Sequence, residues 1–233
     1  MKNQLINLYK ENWENLKTAF VKILEEEQFE QKPTNPLLIY LNEKEYLNAD
    51  IKVMIFGQET NDWGKNFNGQ LVETLEIYDE FYNTGYAINN YGGHFWNGYN
   101  RFINLLKKNY KDKKICTVWN NIVKIGASGR DQNHPKDYIY DVEIKNFLII
   151  EKEINVLKPD IILFLTGPNY DSNIKNHFHD VQFMECDSKF STRQISELKI
   201  QNSKNVFRTY HPNYLWRNNI DLYFNTIIEN IKI

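Results

Sequence analysis

Cysteine is almost absent from this 233-residue chain, which contains only Cys116 and Cys186. Two thiols cannot hold an iron–sulfur cluster ligated by four cysteines, or a zinc ion bound by four cysteines. They also do not provide the disulfide framework that stabilises many small secreted proteins. The fold must therefore depend on an apolar core, and a chain of this length can bury a sizeable core within a single domain.

Long apolar runs are also missing. The N-terminal stretch MKNQLINLYKENW contains no apolar segment of the length found in signal peptides. The longest apolar run, IILFL at Ile161 to Leu165, is far too short to cross a bilayer. We therefore expect a cytoplasmic protein that has no membrane partner.

The chain has no large excess of charge of either sign. Its formal net charge is -2 at pH 7, which argues against a dominant surface for non-specific DNA binding. A local basic patch is still compatible with this total, because a binding site depends on how charge is distributed. Aromatic residues make up 15% of the chain, so rings that could stack on a base are plentiful even if most of them belong to the core.

The sequence signatures of several common enzyme classes are absent as well. The segment GASGR around Ser128 lacks the Gly-x-Ser-x-Gly pattern of a serine hydrolase. No Walker loop and no dinucleotide-binding fingerprint occurs. His177 and His179 would share one side of a strand, but no third metal ligand accompanies them. We therefore expect neither a metal nor a cofactor.

The hydrophobic pattern predicts helices that alternate with short, nearly continuous apolar strands. Strands of this kind are typical of a parallel sheet covered on both faces. We expect an α/β fold, a three-layer α/β/α domain over residues 1–233 with a central, mostly parallel four-stranded sheet, and with residues 1–30 as an N-terminal helix packed on it. The four predicted strands are IKVMIF, KICTVWNN, DIILFLTGP and NVFRTYHP, and further helices are predicted over 71–82, 95–110, 142–157 and from about 214 onwards.

Polar residues follow each of the four predicted strands. Because the carboxyl ends of parallel strands meet at one edge of a sheet, and ligands bind there, we expect these residues to lie close together. They are Gly57-Gln58-Glu59, Asn120-Asn121, Thr166-Gly167 and His211-Pro212.

The order of these motifs resembles that of the uracil-DNA glycosylase superfamily. In the best-known branch of that family the first motif is Gly-Gln-Asp-Pro-Tyr and the last is His-Pro-Ser-Pro-Leu, which GQETNDWG and HPNYLWR resemble here. TVWNNIV is similar to the family's apolar strand that ends in a base-recognising Asn, and IILFLTGPNY to its third strand. The resemblance extends from about Val53 to the C-terminus. Glu replaces Asp in the first motif, and Pro-Tyr is absent.

The resemblance implies a DNA glycosylase that hydrolyses the N-glycosidic bond of uracil or another deaminated base in DNA. His211 would donate a hydrogen bond to the departing base as negative charge builds on it. Glu59 would hold the water and face the cationic sugar, and Gln58 would provide backbone contacts beside the flipped nucleotide. Asn120 would recognise the Watson–Crick edge of the base, with Asn121 as the alternative. DNA would be the partner, and we expect the protein to act as a monomer.

The same resemblance implies roles for residues around these motifs. Leu215 would lie in the loop that enters the DNA as the base leaves the stack. Asn213 stands where Ser is usual and would be a phosphate contact, while either Trp63 or Phe67 would stack on the base. Basic residues near the predicted mouth are Lys65, Arg130, Arg208 and Arg217, each of which is equally well a surface charge.

A non-catalytic interpretation is also open. His211 before Pro could cap a turn, and paired Asn residues often serve in turns or helix caps. The segment GGHFW could bring His94 near the site, although a glycine turn before a helix explains it equally well. The second hypothesis is therefore an inactive protein of the same fold that binds nucleic acid or a nucleotide-like ligand. Catalysis requires Glu59 and His211 to face one open pocket, whereas a Glu59 held in a structural salt bridge favours binding alone.

Overall fold

The computed structural model describes residues 1–129 and 134–233. Within those ranges the α-helices are α1 (Lys2–Glu25), α2 (Glu43–Leu47), α3 (Leu71–Tyr78), α4 (Gly93–Asn109), α5 (Asp137–Asn146), α6 (Ile150–Leu157), α7 (Asp171–His177), α8 (Pro212–Leu215) and α9 (Ile220–Glu229). The strands are β1 (Ile51–Asn61), β2 (Ile115–Ala127), β3 (Ile161–Phe164), β4 (Gln182–Glu185), β5 (Ile195–Lys199) and β6 (Val206–Thr209). Two π-helical segments, Asp79–Asn83 and Ala87–Tyr91, lie between α3 and α4, and a 3₁₀ turn, Pro168–Tyr170, precedes α7.

The strands form one mixed sheet in the order β2-β1-β3-β6-β5-β4. β2, β1, β3 and β6 are parallel, whereas β5 pairs antiparallel with β6 and β4 pairs antiparallel with β5. Helices cover both faces of the sheet, and every residue of β3 and β6 is buried. Strands buried on both faces favour continuous apolar sequence, which is why their positions could be predicted. Every helix in the described ranges is too short or too polar to cross a membrane.

The predicted α/β architecture with helices on both faces of the sheet is confirmed, but the predicted number of four strands is wrong. The two additional strands, β4 and β5, form an antiparallel extension beyond β6. β4 is exposed at three of its four positions, so its sequence has no continuous apolar run. An antiparallel edge can face water on one side, and such a strand is hard to recognise from hydrophobicity alone.

Two predicted helices are interrupted. The helix predicted over 142–157 is in fact α5 and α6, which are separated where Phe147 leaves the helical conformation (φ -142°) and both Phe147 and Ile149 are fully buried. The C-terminal helix is likewise divided into α8 and α9. Asn219 has a left-handed backbone (φ 62°), and its side chain caps α9 by accepting a hydrogen bond from Leu222 N. Burial of the break therefore outweighs helix propensity between α5 and α6, whereas the break before α9 is exposed and is defined by the Asn219 cap.

A buried polar cluster connects α1, β2 and α6. Lys124 and Glu153 are both fully buried, and Lys124 Nζ lies 3.0 Å from each carboxylate oxygen of Glu153. Asn120 accepts from Lys124 Nζ at 2.7 Å and donates to Glu153 at 2.9 Å, while the hydroxyl of Tyr9 donates to Glu153 at 2.7 Å. Each charge therefore has several partners, which offsets the cost of removing both charges from water.

We predict that Lys124→Met destabilises the fold by about 3–5 kcal/mol, because the substitution leaves a buried carboxylate without its counter-charge. The double variant Lys124→Met/Glu153→Gln removes both charges and should recover at least half of that loss. Urea unfolding at pH 7 measures the free energy of unfolding of all three proteins. A single variant that loses less than about 1 kcal/mol would contradict the assignment of this pair as a main constraint on the fold.

Candidate functional site

A cavity of about 670 Å³ lies beside the last residues of β1 and the middle of β2. The predicted end of the second strand at Asn120 is wrong, because β2 continues to Ala127. The first turn of α4 and the residue before α8 also contribute to the cavity. Its wall is largely aromatic, and its polar groups converge from separate parts of the chain. The lining includes Gln58, Glu59, Trp63, Phe81, Tyr91, His94, Phe95, Trp96, Trp119, Asn121, His134 and His211.

Glu59 lies on the part of β1 that continues past the neighbouring strand β3. The pairing of β1 with β2 shifts register between Glu59 and Asn61, a bulge that re-aims the strand at this point. The Glu59 side chain is only 11% exposed, and its Oε1 lies 2.9 Å from Nδ1 of His134. Its Oε2 accepts a hydrogen bond from the hydroxyl of Tyr170. Burial raises the pKa of Glu59, and the Tyr170 hydrogen bond and the charge of His134 oppose that shift.

His211 caps the N-terminus of α8. Its Nδ1 accepts a hydrogen bond from the backbone N–H of Asn213 at 3.2 Å, and its ring is nearly parallel to Phe95, with centroids 6.1 Å apart. Burial, with a smaller contribution from His94, lowers the pKa of His211 to about 4. The ring is therefore neutral at pH 7, and because Nδ1 is the acceptor, the proton is on Nε2. No described residue bonds to that Nε2–H.

Asn120 and Asn121 point to opposite faces of β2, as consecutive strand residues must. Asn120 is fully buried in the cluster with Lys124 and lies outside the cavity. Asn121 lines the cavity, and its Oδ1 accepts from Trp119 Nε1 at 3.2 Å. That contact assigns the amide orientation and leaves the Asn121 NH₂ group without a partner among the described residues. Of the two alternatives for a base-recognising Asn, the geometry favours Asn121.

Gln58 and Trp63 also line the cavity, but both are partly engaged elsewhere. Gln58 Nε2 donates to the backbone oxygen of Thr166 at 2.8 Å, which ties β1 to the end of β3. The Trp63 ring is 8% exposed and packs edge-on against Phe81 and Trp119, each with a centroid separation of 5.3 Å. Its indole Nε1 is buried and has no partner among the described residues. Trp63 thus forms part of the cavity wall and leaves the cavity open.

Three of the predicted site residues lie elsewhere. Phe67 packs in the core against Trp13 and Phe20, with centroids 5.5 and 5.2 Å away, so it cannot stack on a base in the cavity. Leu215 is fully buried, so it is not in an exposed loop that could enter DNA. Asn213 lies outside the cavity lining and contributes its backbone N–H to His211. An apolar residue on a short helix is more readily explained by the core than by a motif position.

The three predicted basic residues that the structure describes do not form a phosphate-binding patch. Arg208 is 2% exposed and makes two hydrogen bonds to the carboxylate of Asp171, so it holds the chain around β6. Arg217 donates to the side chain of Asn213 at 2.9 Å, and Lys65 is exposed. Arg130 lies outside the described residues. This agrees with the absence of a large positive excess in the sequence.

Two residues that the sequence did not single out contact Glu59 directly. His134 comes from the loop after β2, and Tyr170 comes from the 3₁₀ turn after β3. His134 belongs to none of the motifs, Tyr170 ends the IILFLTGPNY segment without an assigned role, and only the fold brings them to the carboxylate. The first turn of α4 contributes His94 and Phe95 to the cavity, as the GGHFW sequence allowed, and Tyr91, which also lines the cavity, is 60% exposed.

We predict that His211 makes the fold sensitive to acid. A folded pKa of about 4, below the ordinary 6.5, means that the unfolded chain binds the proton first, so stability is present above pH 6.5 and is lost as the pH falls towards 4. The expected loss is about 2 kcal/mol, less than the full shift because the ring is partly exposed. Urea unfolding of the wild type and His211→Asn between pH 7 and 4 measures this difference.

Asn keeps an acceptor at the position of Nδ1 and is itself a good helix cap, so the variant should fold. His177, whose pKa burial also lowers to about 4, is present in both proteins, so its contribution cancels in the difference. A stability difference between the two proteins that stays constant from pH 7 to 4 would show that His211 is not held neutral.

Comparison with other proteins adds no assignment. No protein-family model and no curated protein sequence matches this chain. The resemblance to uracil-DNA glycosylases therefore rests on the sequence motifs and stays a prediction.

Proposed function

We propose that this protein is a DNA glycosylase that hydrolyses the N-glycosidic bond of uracil or another deaminated base in DNA. It would act as a cytoplasmic monomer without a metal or a cofactor. One observation carries the proposal: Glu59 and His211, which are far apart in sequence, line the same cavity, and His211 is in the neutral form that donates through Nε2. This is the arrangement that cleavage of a base from a sugar calls for.

The two groups match the charges that develop during the reaction. As the C1′–N bond breaks, negative charge moves onto the base and positive charge onto the sugar. The Nε2–H of His211 is a fixed donor for the base, and the carboxylate of Glu59 is a fixed negative charge for the sugar. The aromatic wall lowers the local dielectric constant, which strengthens both interactions relative to water. A neutral histidine also keeps its donor without placing a second positive charge beside the sugar.

Asn121 supplies the means of choosing the base. Deamination replaces an exocyclic amino group, which is a donor, by a carbonyl oxygen, which is an acceptor. The NH₂ group of Asn121 is a donor whose orientation Trp119 fixes, so it favours a carbonyl and leaves an amino group unpaired. An unpaired polar group in a buried site costs about 1–3 kcal/mol, which is enough to discriminate between bases. Phe95, beside His211, offers a ring on which the base can stack.

A second function is supported by the contacts of Glu59. Both of its carboxylate oxygens already have partners, His134 and Tyr170, which resembles a structural arrangement. In that case the cavity would bind a nucleotide-like ligand without cleaving it. The size of the cavity fits either function, since pockets of about 300–1,000 Å³ are usual for small ligands.

A base-release assay separates the two functions. The substrates are labelled oligonucleotides that contain uracil, hypoxanthine or xanthine, each single- and double-stranded. We predict base release by the wild type and a reduction of about 10²–10³-fold in kcat for His211→Asn, because this variant loses one preorganised donor. Glu59→Gln, which removes the charge but keeps the shape, should reduce kcat by a comparable factor.

The matched controls are His179→Asn and Glu151→Gln, the same chemical changes at exposed positions outside the cavity. Both should retain wild-type kcat. If the wild type releases no base but binds the same oligonucleotides or free nucleotides, and Asn121→Leu weakens that binding, the protein belongs to the second class. Equal loss of activity in the control variants would show that the assay reports folding rather than chemistry.

A further inference from the structure

His134 is held firmly beside the cavity although its side chain is 71% exposed. The buried side chain of Gln31 clamps the backbone around it: Gln31 Nε2 donates to the carbonyl of His134 at 3.0 Å, and Gln31 Oε1 accepts from the N–H of Lys136 at 2.5 Å. An exposed imidazole with an anchored backbone can present a defined nitrogen to solvent. His134 also lines the same cavity as Glu59 and His211.

The partners of His134 fix its protonation pattern. Nδ1 lies 2.9 Å from Glu59 Oε1, and a carboxylate oxygen only accepts, so the proton of the neutral ring is on Nδ1. The hydroxyl of Tyr170 donates to the other oxygen of Glu59 and keeps that carboxylate in place. Nε2 of His134 is therefore an unprotonated acceptor, and no described residue bonds to it. His211 has the opposite pattern, with its proton on Nε2.

We propose that Glu59 and His134 form a carboxylate–imidazole dyad in which Nε2 of His134 is the general base of the reaction. This inference rests on the glycosylase function proposed above. The carboxylate of Glu59 then orients the imidazole and balances its positive charge, and Glu59 does not itself take the proton. His134 and His211 thus have complementary tasks: His134 accepts a proton from water, and His211 donates a hydrogen bond to the departing base.

The step balances as follows. Nε2 of His134 takes one proton from a water molecule while the water oxygen forms a bond to C1′ of the sugar. The C1′–N bond breaks, and its electron pair leaves with the base, whose oxygen accepts the hydrogen bond from Nε2–H of His211. The base departs as an anion and takes a proton from solvent. The imidazolium of His134, paired with Glu59, returns its proton to solvent, so no oxidant, reductant or metal takes part.

Accessibility favours His134 over Glu59 as the group that activates water. Both oxygens of Glu59 are occupied and its side chain is 11% exposed, whereas that of His134 is 71% exposed. Each oxygen of Glu59 keeps a second lone pair, but the burial of this side chain restricts the approach of water, whereas His134 is open to solvent.

The first test does not depend on activity. Long-range ¹H–¹⁵N NMR spectra of the full chain with ¹⁵N-labelled histidine, recorded at pH 8, show which ring nitrogen carries the proton, and His134→Asn and His211→Asn assign the signals. We expect Nδ1–H for His134 and Nε2–H for His211. A His134 with its proton on Nε2, or with the averaged signal of a free histidine, would overturn the dyad.

The second test compares two substitutions of His134. In His134→Asn the side-chain NH₂ stands near the position of Nδ1 and keeps the hydrogen bond to Glu59, but no basic nitrogen remains; His134→Ala loses both. A general base typically contributes 10²–10⁴-fold, so both variants should lose at least about 10²-fold in kcat with KM changed by less than about twofold. If His134 only positioned Glu59, His134→Asn would retain wild-type kcat and His134→Ala would not.

The two proposals fail in different ways. Base release by the wild type that His134→Asn retains would overturn the role of His134 alone. No base release by the wild type from any of the substrates would overturn the glycosylase function, and the base role with it, while the NMR result would still decide whether the dyad exists.

Discussion

The buried ion pair between Lys124 and Glu153 determines which side chains of β2 face the cavity. A fully buried ammonium is tolerated only beside its counter-charge, so Lys124 must point towards α6. Successive side chains of a strand point to opposite faces of the sheet. Asn120 therefore lies on the same face as Lys124, where it bonds to both charges, and Asn121 lies on the opposite face. A slip of one residue would exchange the two asparagines and bring Lys124 to the cavity side. The ion pair on one face of the sheet therefore determines which asparagine lines the cavity on the other face.

The close approach of β1 to β2 also determines where Asn121 and Glu59 lie. Gly57 pairs with Asn121, and a Cβ atom at position 57 would collide with the Asn121 side-chain oxygen. Glycine thus leaves room for the amide to bond to Trp119 and to face the cavity. The pairing of β1 with β3 ends at Phe56, so the next residues of β1 extend past the sheet edge. The bulge that follows aims Glu59 at the turn after β3, and this is how Tyr170 comes into contact with it.

Sequence patterns could predict the parts of this protein that depend on continuous burial. The four parallel strands are such parts, and so is the convergence of Glu59 and His211 at one sheet edge. The sequence could not show whether Asn120 or Asn121 faces the cavity. β2 is buried on both faces at this point, so the hydrophobic pattern does not show which of its residues point to which face. The prediction that Leu215 lies in an exposed loop was wrong for a related reason. A position in a motif does not show whether the side chain faces the core or solvent. His134 and Tyr170 belong to connecting segments, whose contacts arise only from the assembled fold.

The contacts of Glu59 are better explained as a response to the burial of its carboxyl group than as a salt bridge that stabilises the fold. Burial in an aromatic cavity raises the pKa of this carboxyl and favours its neutral form, which could not stabilise a cationic sugar. The hydroxyl of Tyr170 and the imidazole of His134 oppose that shift, and both act on the charged form. A purely structural ion pair gains most when both partners are shielded, yet the His134 side chain is 71% exposed. A largely buried carboxyl group that contacts one buried hydroxyl and one accessible imidazole is an arrangement suited to moving a proton between the cavity and solvent. Burial disfavours the charged form of Glu59 and also keeps His211 neutral. One property of the cavity therefore affects both groups, for which opposite roles are proposed.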